Sequence, residues 1–268
     1  MPKKLRIGIV GCGAIGSSLA KAIIKDFKDT AKLVALYDSD ALRAGKLSKK
    51  LSVASLEALV RKADLVIEAA SAQGSWDIAK YALKRGRSIL VMSVGGILTH
   101  TQELLRLSEK HRAKVYIASG ALCGIDGLKG ARMGKVKSVA LTTIKNPLSF
   151  KGVRFVEEKG IKLGQLKKDL VLFSGTAREA VRHFPQNINV AAVLSLAGLG
   201  ADKTRVRIIA SPFVKKNIHE VEIRSKAADI FTRTQNVVHP DNPKTSYLAV
   251  LSAIAALKGI LQPVKIGT

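Results

Sequence analysis

The chain has 268 residues, of which 47% are hydrophobic and 24% charged, so it can form two small domains with ordinary cores. This composition excludes intrinsic disorder, and the two cysteines, Cys12 and Cys123, exclude a disulfide scaffold and a cysteine metal site, so we expect two packed thiols. The net charge of +25 is spread over both halves without a basic tail, which argues against a nucleic-acid partner. Attraction of anionic substrates and cofactors explains the charge, and a generally basic proteome explains it as well.

The first 118 residues alternate between short apolar runs and segments with helical spacing. Such runs are typical of buried parallel strands, and the segments between them are typical of helices. The alternation predicts an α/β fold, a doubly wound parallel sheet of the Rossmann type with helices on both faces. The predicted strands are 5–10, 33–37, 65–70, 88–93 and 114–118, and the predicted helices are 17–25, 56–62, 76–85 and 101–111.

After Gly120 this alternation is lost. Several segments instead alternate apolar and polar residues with a period of two, which is typical of antiparallel strands with one exposed face. We therefore predict a second, α+β domain containing a largely antiparallel sheet. Its predicted strands are 136–145, 170–174, 204–210, 218–225 and 228–237, and its predicted helices are 125–133 and 177–198.

The last predicted helix, 245–261, is apolar, and we expect it to pack against the first domain. The expected packing of this helix assigns residues 1–119 and 241–268 to the first domain. Residues 120–240 then form a second domain for substrate binding, catalysis and dimerisation. An antiparallel sheet with one uncovered face exposes apolar surface, which favours a homodimer. No uncharged apolar run reaches the ~18 residues of a membrane span, so we expect a cytoplasmic protein without a membrane partner.

A glycine-rich turn joins the first predicted strand to the first predicted helix. Gly11 permits a tight turn, Gly13 lets the backbone approach a pyrophosphate, and Gly16 lets the helix and strand pack closely. The N–H groups and dipole of the helix N-terminus favour phosphate. Strand, glycine pattern and helix in this order predict binding of a nicotinamide dinucleotide. Its predicted contacts in this turn are Gly11, Gly13, Ala14, Ile15 and Gly16.

Asp38 ends the second predicted strand, where a carboxylate binds the adenosine ribose hydroxyls and repels a 2′-phosphate. We therefore expect NAD, with NADP possible because Arg43 and Lys46 lie just beyond. Ligands of this fold bind at the carboxyl ends of the strands, where small residues follow the third and fourth strands. The cofactor contacts predicted there are Ala70, Ser71 and Ser93, although a turn or capping role explains Ser93 equally well.

Histidine is the usual proton carrier near neutral pH, and the chain contains five. His219 on an alternating strand and His239 in a loop are favoured, because both lie beside polar loops. His100 and His111 flank a surface-type helix and are expected in solvent, and His183 lies late in a helix.

Several segments of the second half resemble the L-aspartate dehydrogenase family. They are FPQNINVAA (184–192), NIHE (217–220), DNPKTSY (241–247) and SGALCGIDG (119–127), and the glycine turn matches as well. The resemblance implies NAD(P)-dependent oxidative deamination of L-aspartate to iminoaspartate, which water converts to oxaloacetate and ammonia. The reverse amination and a supply of imine to NAD biosynthesis are also implied.

The family's functional residues fall on particular positions of this chain. The resemblance implies that His219 is catalytic, and that Asn189, with Asn187 close by, contacts the cofactor. Cys123 occupies a cofactor-contacting loop position that is alanine in many members, and Ala121 of the same loop is assigned to the cofactor too. His219 could take the proton of the substrate amine or direct the water that attacks the imine.

Aspartate has two carboxylates, so its site needs cations and hydrogen-bond donors. The predicted substrate residues are His219, Asn189, Lys244, Thr245 and Ser246. An ordinary loop before a helix, capped by Thr245 or Ser246, explains the last three equally well.

Two other functions fit parts of the sequence. The first is another two-domain dehydrogenase, acting on homoserine, dihydrodipicolinate or a sugar. Those families usually place a lysine in their catalytic motif, and this chain has SVGG at 93–96 where the sugar enzymes have Glu-Lys-Pro. The second is a non-enzymatic NAD sensor that binds nucleic acid, for which the sequence shows no winged helix or basic recognition helix.

Overall fold

The structure is a computed structural model that describes residues 3–184, 188–240 and 242–267, with the side chains of residues 243 and 244 left out. It divides into two compact units. Unit 1 comprises Met1–Ala118 and Val250–Lys265, and unit 2 comprises Ser119–Ala249 and Ile266–Thr268. Residues 242–249 therefore lie in unit 2, whereas the sequence analysis placed them with the first domain.

Unit 1 contains a five-stranded parallel sheet flanked by helices. Its strands are β1 (Leu5–Val10), β2 (Ala31–Tyr37), β3 (Leu65–Glu68), β4 (Ser88–Val91) and β5 (Val115–Ile117). Its helices are α1 (Ala14–Lys25), α2 (Ala41–Leu47), α3 (Leu56–Lys62), α4 (Ala72–Lys84) and α5 (Thr101–Lys110). The strand order is β2-β1-β3-β4-β5, and every neighbouring pair is parallel. The predicted Rossmann sheet is confirmed.

The chain order in this sheet reverses between β1 and β3. Ligands of such sheets bind outside the carboxyl ends of the strands at that point. The core of unit 1 also receives Ala253 and Leu257 from the last helix of the chain, α10 (Tyr247–Leu261). That helix begins two residues later than predicted, because 242–246 form a strand.

Unit 2 contains a second five-stranded sheet. Its strands are β6 (Val136–Lys145), β7 (Leu170–Thr176), β8 (Thr204–Ala210), β9 (Asn217–Ser225) and β10 (Asp229–Asn236), and a separate hairpin comprises β11 (Val238–His239) and β12 (Asn242–Ser246). Its helices are α6 (Ile125–Arg132), α7 (Arg154–Glu158), α8 (Ala177–His183) and α9 (Asn189–Ala197). The strand order is β10-β9-β6-β8-β7, and β6–β8 is its parallel pair. The predicted largely antiparallel sheet is confirmed.

The inner face of this sheet changes character along the strands. At one end, Val139 and Leu141 of β6 and Val221 and Ile223 of β9 are buried in the core of unit 2. The same face continues at the other end with polar residues, listed by strand as Thr143 and Lys145 of β6, Asn217 and His219 of β9, and Thr234 and Asn236 of β10.

Among the described helices, none is long and apolar enough to cross a membrane.

Candidate active site

The glycine turn of unit 1 forms an open cradle at the start of α1. Gly11 has a φ of +93°, and a Cβ on it would come within 2.5 Å of the Ala69 carbonyl carbon, so only glycine fits there. A Cβ on Gly16 would collide with the Gly11 carbonyl oxygen. A Cβ on Gly13, in contrast, would meet no described atom within 4 Å, so open space faces this residue.

Helix α1 begins directly in this cradle. Its first turn, with Ala14, Ile15 and Gly16, has no acidic residue and no side-chain cap. A helix leaves its first N–H groups without intrahelical partners, and together with the dipole they favour an anion. The residues present therefore fit the pyrophosphate of a dinucleotide.

Asp38 follows β2 and is bonded to the same turn. Its Oδ2 accepts a 2.7 Å hydrogen bond from the Cys12 N–H, and its Oδ1 accepts one of 2.9 Å from the Asp40 N–H. Each carboxylate oxygen keeps a further lone pair, which can accept from a ribose hydroxyl. Burial, and then the charge of Asp38, raise the pKa of the Cys12 thiol to about 11, so this packed thiol is inert.

The loops after β3 and β4 are held together by a residue that the sequence analysis missed. Glu68 is 0% exposed, and its two carboxylate oxygens accept 2.9 Å hydrogen bonds from the N–H groups of Ala70 and Ser93. Burial raises the pKa of Glu68, and the bonds from Ser93 and Ala70 oppose that rise. The carboxylate therefore positions Ala70 and Ser93, and the signal for Glu68 in the sequence was a charged residue inside an apolar strand.

His219 of unit 2 lies in the polar end of the inner sheet face. It is 3% exposed, and its Nδ1 lies 3.0 Å from the Thr143 hydroxyl, its direct partner in the β6–β9 ladder. Burial, and then the positive charge of Lys145, lower the pKa of His219 to about 3. The imidazole is therefore neutral at neutral pH and can accept a proton or a hydrogen bond.

Lys145 is a second functional candidate that the sequence analysis missed. It lies two residues after Thr143 on the same strand face, at the carboxyl end of β6, and is half-buried. Burial lowers its pKa to about 8. A partly desolvated cation beside a neutral histidine is suited to binding a carboxylate.

The remaining histidines have other surroundings. His100 is half-buried and stacks on Trp76 with ring centroids 4.4 Å apart, so one face of its ring is covered. His183 is exposed at the end of α8, and the buried His239 lies in β11 with its ring against Tyr247. Of the histidines, His219 is the one that pairs with Thr143 at the polar end of the inner sheet face.

Several predicted residues lie on other elements of unit 2 or outside the description. Asn189 begins α9, and Thr245 and Ser246 lie in β12, where Ser246 pairs with Val238. Asn187 and the Lys244 side chain lie outside the described residues.

The loop before α6 carries the other two predicted cofactor contacts. Ala121 is buried, and its carbonyl oxygen accepts a 2.9 Å hydrogen bond from Asn236 Nδ2. Cys123 is exposed, so the expectation of a packed thiol is wrong there, and its backbone carbonyl accepts a hydrogen bond from the Thr232 hydroxyl.

Comparison with known proteins covers both units. The family model described as aspartate dehydrogenase, C-terminal, matches residues 126–260, and the one described as homoserine dehydrogenase, NAD binding domain, matches residues 11–118. L-aspartate dehydrogenase of Methanosarcina mazei is 45% identical over 98% of this chain and 100% of its own length. That of Methanosarcina barkeri is 45% identical over the same shares. The chain belongs to the aspartate dehydrogenase family.

A solved structure agrees with the fold of this aspartate dehydrogenase family member. The crystal structure of aspartate dehydrogenase from Thermotoga maritima has a TM-score of 0.79, covers 99% of this chain and 100% of that chain, and is 24% identical. The aspartate dehydrogenase model covers β6, β9 and β10, which carry Lys145, His219 and Asn236. The NAD-binding model covers the glycine turn and supports NAD or NADP as the cofactor. The family assignment made from the sequence is confirmed.

Proposed function

We propose that the protein catalyses the NAD(P)-dependent oxidative deamination of L-aspartate to iminoaspartate, which is hydrolysed to oxaloacetate and ammonia, and the reverse amination. The observation that carries this proposal is full-length identity of 45% to L-aspartate dehydrogenases. A buried neutral histidine beside a cation agrees with it, because the substrate has an amine to deprotonate and carboxylates to bind. When bound, the nicotinamide ring supplies the hydride acceptor.

In this proposal the residues of unit 1 bind the dinucleotide. The N–H groups at Ala14, Ile15 and Gly16 bind the pyrophosphate, and Asp38 accepts from the adenosine ribose. Ala70, Ser71 and Ser93 stay predicted contacts with the nicotinamide half. Their loops are held by Glu68, whose bonds to Ala70 and Ser93 fix the backbone there.

In this proposal His219 moves the proton. With the ring proton on Nδ1, His219 donates to Thr143 Oγ1, and Nε2 keeps the lone pair that accepts a proton from the substrate amine or from the attacking water. Bound aspartate brings two negative charges, which counteract the charge of Lys145 and raise the pKa of His219 towards the range of a useful base.

Lys145 supplies the cation for a substrate carboxylate. We expect binding of succinate, a dicarboxylate without an amino group, to weaken as the pH rises above about 8, because the pKa of Lys145 is lowered to about 8 by burial and its charge is lost above that pH. Succinate stays fully ionised in this range, so its own titration does not contribute to the change. The dissociation constant from titration calorimetry with the NADH complex measures this.

Three variants test the source of that pH dependence. Lys145→Arg is expected to bind succinate without weakening up to about pH 10, because guanidinium keeps its charge. Lys145→Met is expected to bind it weakly at every pH. Lys137→Met, which removes an exposed lysine from the same strand, is the matched control and is expected to behave like wild type. Wild-type binding that is unchanged across about pH 8 would exclude Lys145 as the carboxylate ligand.

The reverse reaction tests the proposed activity. Oxaloacetate, ammonium and NADH or NADPH are expected to yield aspartate of the L configuration, identified by chiral chromatography. Oxidation of the reduced cofactor without ammonium would instead indicate reduction to malate and would contradict the proposal. The homodimer, the cytoplasmic location and a role in NAD biosynthesis belong to the same proposal and are supported by the sequence analysis alone.

A further inference from the structure

Two buried polar atoms beside His219 have no hydrogen-bond partner among the described residues. They are the Thr234 hydroxyl oxygen and the Asn236 side-chain oxygen, both on the inner face of β10. Thr234 is the direct partner of His219 in the β9–β10 ladder, and Asn236 pairs with Asn217 at the end of the same face. Buried polar atoms are nearly always paired with protein, water or ligand, so these two indicate a missing partner.

The orientation of the Asn236 amide specifies what that partner is. Asn236 is 2% exposed, and its Nδ2 donates a 2.9 Å hydrogen bond to the Ala121 carbonyl oxygen. A carbonyl only accepts, so this bond fixes the nitrogen towards Ala121 and the Oδ1 away from it. Oδ1 is itself only an acceptor, and its partner must therefore be a hydrogen-bond donor.

Among the groups of an aspartate molecule, only the amino group is such a donor. Ionised carboxylates accept hydrogen bonds and would be repelled by Oδ1. An amino group has enough N–H bonds to donate to Asn236 Oδ1, to Thr234 Oγ1 and to the neighbouring His219. This arrangement places the amine beside the residue that the mechanism requires for its deprotonation.

We propose that Asn236 Oδ1 and Thr234 Oγ1 form the subsite for the substrate amino group, an inference that rests on the proposed function. The subsite holds the amine against His219 and discriminates an amino acid from the corresponding hydroxy acid, which offers one hydrogen where the amine offers several. Lys145 lies on β6, on the other side of β9, so the cation and the amine acceptors flank His219 from opposite sides.

The reverse reaction separates this role from a structural one, because ammonium and oxaloacetate are distinct substrates. Asn236→Leu is expected to raise KM for ammonium about 10- to 100-fold, and Thr234→Val about 3- to 10-fold, with smaller changes in KM for oxaloacetate and in the Kd of NADH. Thr142→Val, the same change on the outer face of β6, is the matched control and is expected to leave all three constants unchanged.

Binding without turnover gives a second measurement. Calorimetry with the NADH complex compares L-aspartate with succinate. The preference of wild type for aspartate is expected to fall about 3- to 10-fold in Thr234→Val. This nearly isosteric change keeps the test available even if Asn236→Leu does not fold. Equal increases in both KM values, or weakened NADH binding alone, would overturn the subsite and assign the two atoms to the cofactor amide or a buried water. A wild-type protein that neither forms nor binds aspartate would overturn the proposed function itself.

Discussion

His219→Ala is expected to lower kcat for aspartate oxidation by about 10²- to 10⁴-fold, the usual contribution of a positioned acid–base group. The side chain is the buried, neutral imidazole beside Thr143 and Lys145, and its pKa is lowered to about 3. The Kd of the dinucleotide, measured by fluorescence titration, is expected to stay within about threefold of wild type. Steady-state kinetics under saturating cofactor give kcat.

Two further variants make this result specific. His219→Asn retains a group near Thr143 but lacks a base, so its kcat is expected to be as low as that of His219→Ala. His183→Ala removes an exposed histidine from the end of α8 and is expected to keep wild-type kcat. Turnover by His219→Ala within threefold of wild type would show that another group moves the proton.

Gly13→Val is expected to abolish dinucleotide binding, with the Kd rising at least about 100-fold, while the protein stays folded. The space next to Gly13 contains no described atom within 4 Å, so valine is accommodated by the protein alone. It would occupy the position where the pyrophosphate has to approach the backbone. Calorimetric titration with NADH measures the affinity, and thermal unfolding measures stability.

Other glycines in the chain provide the controls. Gly16→Val is expected to destabilise the fold as well as to prevent binding, because its Cβ would collide with the Gly11 carbonyl oxygen. Gly164→Val, at a site in unit 2 that also has no described atom within 4 Å of an added Cβ, is expected to bind NADH normally. Normal NADH binding by Gly13→Val would place the cofactor elsewhere.

Local periodicity predicted much of the fold. The limits of 136–145 and 204–210 agree with β6 and β8, because strict alternation of apolar and polar residues reports a sheet with one buried face. The stretch 177–198, predicted to be mostly helical, contains two helices, since α8 ends at His183 and α9 begins at Asn189. Pro185 lies in the sequence between the two helices, and a proline interrupts a helix, so the pattern did carry a signal for their separation.

The candidate site was predicted only in part, because its members come together through strand pairing. Thr143 and His219 are 76 residues apart in the chain and meet through the β6–β9 register, which no local pattern specifies. Lys145 ends a strand like many surface lysines, and its proximity to His219 follows from that same register. Asn236 did carry a signal, as a polar residue in the inward series of β10, but its unpaired oxygen is a property of the folded chain.

The most direct test of the central claim is an assay of NAD reduction, repeated with NADP, that measures the absorbance of the reduced cofactor. It compares L-aspartate with L-alanine, L-glutamate, L-malate and L-homoserine as substrates. The account predicts reduction with L-aspartate, little with the other four, and loss of the signal in His219→Ala. Reduction with L-homoserine or L-malate but not with L-aspartate would contradict it, and so would the absence of reduction with all five.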